Sequence, residues 1–147
     1  MIHRISIPTE DIIKEAIKLN SQDFRGLRIL KPELDAAFED FVLTTDDADA
    51  MNSQVKIIAT EIYQKIKGYV LQWYVDAEVC YYVKSQIDTS SLEIILRNVG
   101  VYSILAWWYE TRLPELSISY RDKATLQLSV LTSAVIPTFG KRKLRMF

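Results

Sequence analysis

The sequence predicts an all-α fold, a bundle of about five helices with extended N- and C-terminal arms. Three observations carry that expectation. Two long segments, 45–74 and 90–113, repeat apolar residues at helical spacing. Both begin with capping chemistry: Thr44-Thr45-Asp46-Asp47-Ala48-Asp49 in one, and Ser90 followed three residues later by Glu93 in the other. The chain holds only four glycines and four prolines in 147 residues, too few for a sandwich or barrel with many tight turns.

At the N-terminus, Ile5 and Ile7 alternate with polar neighbours and stop at Pro8, which suits a short extended arm or an edge strand. Thr9 is a good N-cap, and Glu10 and Asp11 sit in a first turn where the helix dipole favours acids. Ile12, Ile13, Ala16, Ile17 and Leu19 give the first helix an apolar face, and Asn20-Ser21 is expected to end it. The stretch Asp23 to Lys31 contains Gly26, leads to Pro32 and reads as a loop. Pro32 suits a first helical position, and Leu34, Ala37, Phe38, Phe41 and Val42 carry a second helix to about Leu43.

The third helix is the longest, with Val55, Ile58, Ala59, Ile62, Ile66, Tyr69, Val70 and Trp73 on its apolar face. Gly68 lies inside it at a cost of about 1 kcal/mol relative to Ala, which a close helix contact or a kink would explain. Its pattern either breaks at Val75-Asp76 or continues through Val79, Tyr82 and Val83. The fourth helix is apolar almost all round, from Leu92 through Trp107 and Trp108, and ends at Leu113-Pro114. A helix of that kind is buried in a core or against another chain. A fifth is expected from about Ser117 to Val135, with a strand as its alternative because Leu126, Leu128 and Val130 alternate. Pro137 stops it, dividing the chain into a helical domain, 1–137, and a basic arm, 138–147.

Length and composition fit one domain, which buries roughly 68–70 % of its unfolded surface at this size. A single Cys80 excludes an intrachain disulfide and suits a reducing compartment. The N-terminus has no signal-peptide core, and no apolar run approaches the roughly 18 residues of a spanning helix, so no membrane partner is expected. Net charge is −1, but the last seven residues hold four bases and no acid, which leaves 14 bases against 19 acids in the first 140 residues. A mildly acidic body argues against nucleic-acid recognition through its surface.

The residues suggest no catalytic set, cofactor or metal. His3, the lone histidine, lies in a terminal arm, and Cys80 has no histidine near it in sequence. Asp46, Asp47 and Asp49 lack the glycine and bidentate Glu of a calcium loop and read as helix-start acids. Glu10 and Asp11 are adjacent on a helix and face different ways. Trp73, Trp107, Trp108 and Tyr109 are candidates for a core or for a subunit interface, where Trp and Tyr are enriched. Trp107 and Trp108 cannot share one helix face, so one is expected inward and the other on a second surface. The tail Lys141, Arg142, Lys143, Leu144, Arg145, Met146 and Phe147 is either a solvated end or a docking arm that orders on a partner.

From Thr45 to Gly140 this order of features resembles phage head–tail connector proteins, also called neck, adaptor or head-completion proteins. The similar elements are an acidic helix start, the amphipathic run Val55–Tyr69 followed by Trp73-Tyr74, a helix ending in Trp107-Trp108-Tyr109-Glu110-Thr111-Arg112-Leu113-Pro114, a tyrosine-led last helix at Tyr120-Arg121-Asp122-Lys123-Ala124, and a Gly-containing tail. The resemblance implies a non-enzymatic structural protein of the virion neck, made in the host cytoplasm. It implies a homo-oligomeric ring, often of twelve subunits, between the portal protein and the tail or further neck proteins. DNA would pass through without sequence recognition, and the C-terminal arm would insert into the portal. The alternatives are a helical oligomeric adaptor outside any virion, and an enzyme using unpaired acidic residues.

Overall fold

The computed structural model of the protein describes residues 2–30, 38–84 and 89–135. Among them the fold is mixed: strand β1 (Ile2–Pro8), helix α1 (Thr9–Leu30), a single turn α2 (Phe38–Phe41), α3 (Ala48–Ile66), strands β2 (Val70–Val75) and β3 (Glu78–Lys84), α4 (Thr89–Tyr109) and α5 (Pro114–Val135). The all-α expectation is therefore corrected to four long helices packed with a three-stranded antiparallel sheet, in the order β1-β3-β2.

The sheet has a clear local cause. Val70 to Val75 and Glu78 to Lys84 are rich in valine and aromatics, which suit a pleated, half-buried surface. Only Asp76-Ala77 separates them, and the Asp76 amide donates to the Glu78 carbonyl at 3.0 Å. A two-strand hairpin is marginal by itself, and a third strand makes it independently stable. Here β1 supplies it, with Ile5 opposite Tyr81 and Ile7 opposite Val79. On the other side of β3, Trp73 pairs with Tyr81 and Val75 with Val79. The inner face buries Ile5, Val79, Tyr81 and Val83. On the outer face the Glu78 carboxylate accepts from both Arg4 and Tyr74.

Helix α1 does not stop at Asn20-Ser21. Its buried positions continue through Ile12, Ile13, Ala16, Asn20 and Phe24, so Asn20 occupies a core position in the stripe. Thr9 starts the helix beside the hairpin tip, its amide donating to Ala77 at 3.0 Å and its hydroxyl to the Asp76 carbonyl at 3.1 Å. The first half of the helix expected from Pro32 to about Leu43 lies outside the described residues, and of the rest Phe38–Phe41 forms a helical turn. Thr44 and Asp47 form a reciprocal capping box on a 3-10 turn, Thr45–Asp47, that leads into α3. Gly68 is not inside a helix. It sits in a 3-10 turn, Lys67–Tyr69, after α3 has ended, with nothing within 4 Å of where a Cβ would be.

Helix α4 ends at Tyr109 rather than Leu113, and α5 begins at Pro114, where the missing N–H costs nothing. The segment expected from Ser117 is helical, which removes its strand alternative. The buried Ser117 hydroxyl donates to the Ala106 carbonyl at 2.6 Å and pins the α4–α5 hairpin. Helices α1 and α4 approach closely at Gly100, where a Cβ would lie 3.1 Å from Ile12 side-chain carbons. No helix among the described residues is long and apolar enough to cross a membrane.

Candidate interaction surface

The four aromatic residues singled out from the sequence separate in the structure. Trp73 is half-buried and stacked between Tyr63, at 4.8 Å between ring centroids, and Tyr81, at 6.0 Å. Trp108 is buried, its Nε1 donates to the Phe41 carbonyl at 2.8 Å, and the Arg112 guanidinium lies 3.7 Å over its ring. Tyr109 is fully buried. Trp107, whose ring is tilted 55° to that of Trp108 with centroids 5.9 Å apart, is half-buried and meets a groove.

Tyr109 belongs to a polar network that the sequence pattern did not reveal. Asn20 Nδ2 donates to the Tyr109 hydroxyl at 2.9 Å and to the Phe41 carbonyl at 3.0 Å, and Asn20 Oδ1 accepts from the Leu43 amide at 2.8 Å. Tyr109 in turn donates to Asp23 Oδ2 at 3.0 Å, and Tyr120 donates to the same oxygen at 2.6 Å. Burial pushes both phenols well above the usual tyrosine range, and the Asp23 charge adds to it. The network ties α1, the 38–43 segment, α4 and α5 together. Every member serves another member or a backbone group, so it reads as an internal fastening rather than a reactive centre.

The remaining chemical candidates are also engaged structurally or isolated. Cys80 is buried in β3, in register between Ser6 and Tyr74. His3 lies on β1 opposite Val83. Asp47 accepts from the Thr44 amide at 3.0 Å as a cap. Glu10 pairs with Lys14 at 2.8 Å, which holds its carboxyl below the usual range. Among the described residues, no three His, Cys, Asp or Glu side chains are grouped to hold a metal ion. The tail Lys141–Phe147 and the boundary at Pro137 lie outside the described residues.

The surface that stands out is formed by α3, α4 and α5. A groove of about 330 Å³ runs between them, floored by Ile58, Ile62 and Val99 and walled by Ile57, Trp107 and Leu128. Glu61, Glu110 and Arg121 stand at its edge. Away from the groove, on its solvent side, α5 presents Ile118, Leu126 and Val130, which are 58, 63 and 43 % exposed, with Leu126 and Val130 one turn apart. Ile57 is 51 % exposed. Contiguous exposed apolar surface marks interaction sites, whereas scattered single side chains do not. The sequence held a trace of these exposed side chains: Leu126, Leu128 and Val130 alternate, which made a strand plausible. No protein-family model, curated protein or solved structure matches the chain.

Proposed function

We propose that the protein is a non-catalytic structural subunit that packs against copies of itself, as a head–tail connector does in a virion neck. The observations that carry this reading are the exposed apolar pair Leu126 and Val130, one turn apart on the solvent side of α5, and the half-buried Trp107 on α4. Covering these side chains with a neighbouring subunit removes apolar area from water, which stabilises by about 25 cal/mol per Å². The connector layout also keeps its helical order: α3, then α4 ending in Trp107-Trp108-Tyr109, the Arg112-Leu113-Pro114 turn, and α5 with Tyr120 in its first half. The β2–β3 hairpin is interposed between α3 and α4. In this reading the portal lies above the ring and tail or further neck proteins below. The acidic body, with 14 bases against 19 acids before the tail, weakly repels DNA passing through. Negative-stain images of the purified full chain test the proposal. Closed rings with an open centre are expected. Compact dimers would favour an adaptor outside a virion, and isolated monomers would contradict self-assembly.

A further inference from the structure

We infer that the groove between α3, α4 and α5 is the seat of the chain's own C-terminal arm, residues 136–147, in the unassembled protein. The inference stands apart from the connector reading. Twelve residues follow Val135, where α5 ends. Extended, they reach at most about 40 Å. The groove begins about 10 Å back along α5, at Leu128, and extends about 21 Å back, to Arg121, at the helical rise per residue. The arm is therefore long enough to reverse and run the length of the groove. Pro137 and Gly140 bracket a short stretch with turn-forming composition, and the chain beyond it supplies Leu144, Met146 and Phe147 among four bases.

The chemistry of the two parts is complementary. The groove offers exposed Ile57 and the half-buried Trp107 ring to apolar side chains. Glu61 and Glu110 at its edge face the arm's Lys141, Arg142, Lys143 and Arg145, with Arg121 the one lining base. Tethering strengthens the match, because a short flexible linker gives an effective concentration in the millimolar range, so that a weak site is filled. An arm seated this way covers the apolar groove of a free subunit until a partner displaces it.

A spin label tests this on the full chain, at a dilution where sedimentation shows single subunits. Cys80 is buried, so Phe147→Cys introduces the one readily labelled thiol. The expected result is severalfold broadening of the nuclear magnetic resonance signals of Ile57, Trp107 and Leu128. Adding Glu61→Lys with Glu110→Lys, both at exposed positions, should restore most of the signal intensity, as should high salt. Unbroadened groove signals would overturn the inference. So would broadening of an isotope-labelled chain by the spin label of a second chain in a mixed sample, since that places the arm in another copy.

Discussion

Replacing Asn20 is the sharpest test of how the fold is fastened. Its side chain makes three hydrogen bonds from a fully buried position, to Phe41, Leu43 and Tyr109. In Asn20→Ala the Phe41 carbonyl keeps its bond from Trp108, and Tyr109 still donates to Asp23. The buried Leu43 amide loses its partner. An unpaired buried donor costs about 1–3 kcal/mol, and the small void left behind adds about 1 kcal/mol. The expected loss is about 2–4 kcal/mol, a large part of the 5–15 kcal/mol typical of a domain. Near this chain length that is a fall in Tm of about 6–12 °C, at about 3 °C per kcal/mol. Urea unfolding, followed by circular dichroism, measures it directly. Asn20→Asp should be worse near neutral pH, because it removes both donations and buries a charge near Asp23, and it should recover partly as the pH falls. A loss under about 1 kcal/mol in Asn20→Ala would refute the argument that this network fastens α1 to the 38–43 segment and α4.

Four further outcomes follow from the same geometry. Trp108→Ala should cost about 3–5 kcal/mol because the ring is buried and hydrogen-bonded, while Trp107→Ala should cost less in stability and more in any self-association. Equal losses of stability, read by urea unfolding, would show that the two rings are wrongly assigned. Gly100→Val should destabilise by about 1–3 kcal/mol through overpacking against Ile12, whereas Gly68→Ala, with open space around it, should be tolerated; thermal unfolding compares the pair. Burial raises the phenols of Tyr81, Tyr109 and Tyr120, so the folded chain holds those protons where the unfolded chain releases them. The stability they contribute is full below the ordinary tyrosine value of about 10 and falls as the pH rises above it; tyrosinate absorbance from these residues should appear together with unfolding, and its full appearance in a folded chain would contradict the assignment. Arg112→Ala should lower stability by about 1–2 kcal/mol, since it removes the stack on Trp108 and the bonds to the Asp40 and Trp108 carbonyls; an unchanged urea midpoint would show that the stack contributes nothing.

The helices were legible where one face repeats over many turns. In α3 the buried Met51, Val55, Ile58, Ala59, Ile62 and Ile66 follow the period, and its Thr44 start carries the caps. The reading failed at Val70 to Val75 because Tyr69, Val70 and Trp73 continue the helical spacing of Ile62 and Ile66 by coincidence. What decides for a strand there is pairing across β3 to β1, a partner about seventy positions away in the chain. No local period contains that information. Asn20 misled for a related reason: asparagine ordinarily disfavours helix interiors, yet here its polar groups are paired by three residues from two other parts of the chain. The groove was illegible because it depends on how three helices meet.

In the proposed assembly, exposed apolar side chains on α5 join copies of this chain. Sedimentation of the full chain over a wide concentration range tests it most directly, compared with the double variant Leu126→Asp, Val130→Asp. Both residues are exposed on α5, so the variant should fold as the parent does. The claim predicts a discrete multi-subunit species for the parent and a folded monomer for the variant. A parent that stays monomeric throughout, or a variant that assembles equally well, would contradict it.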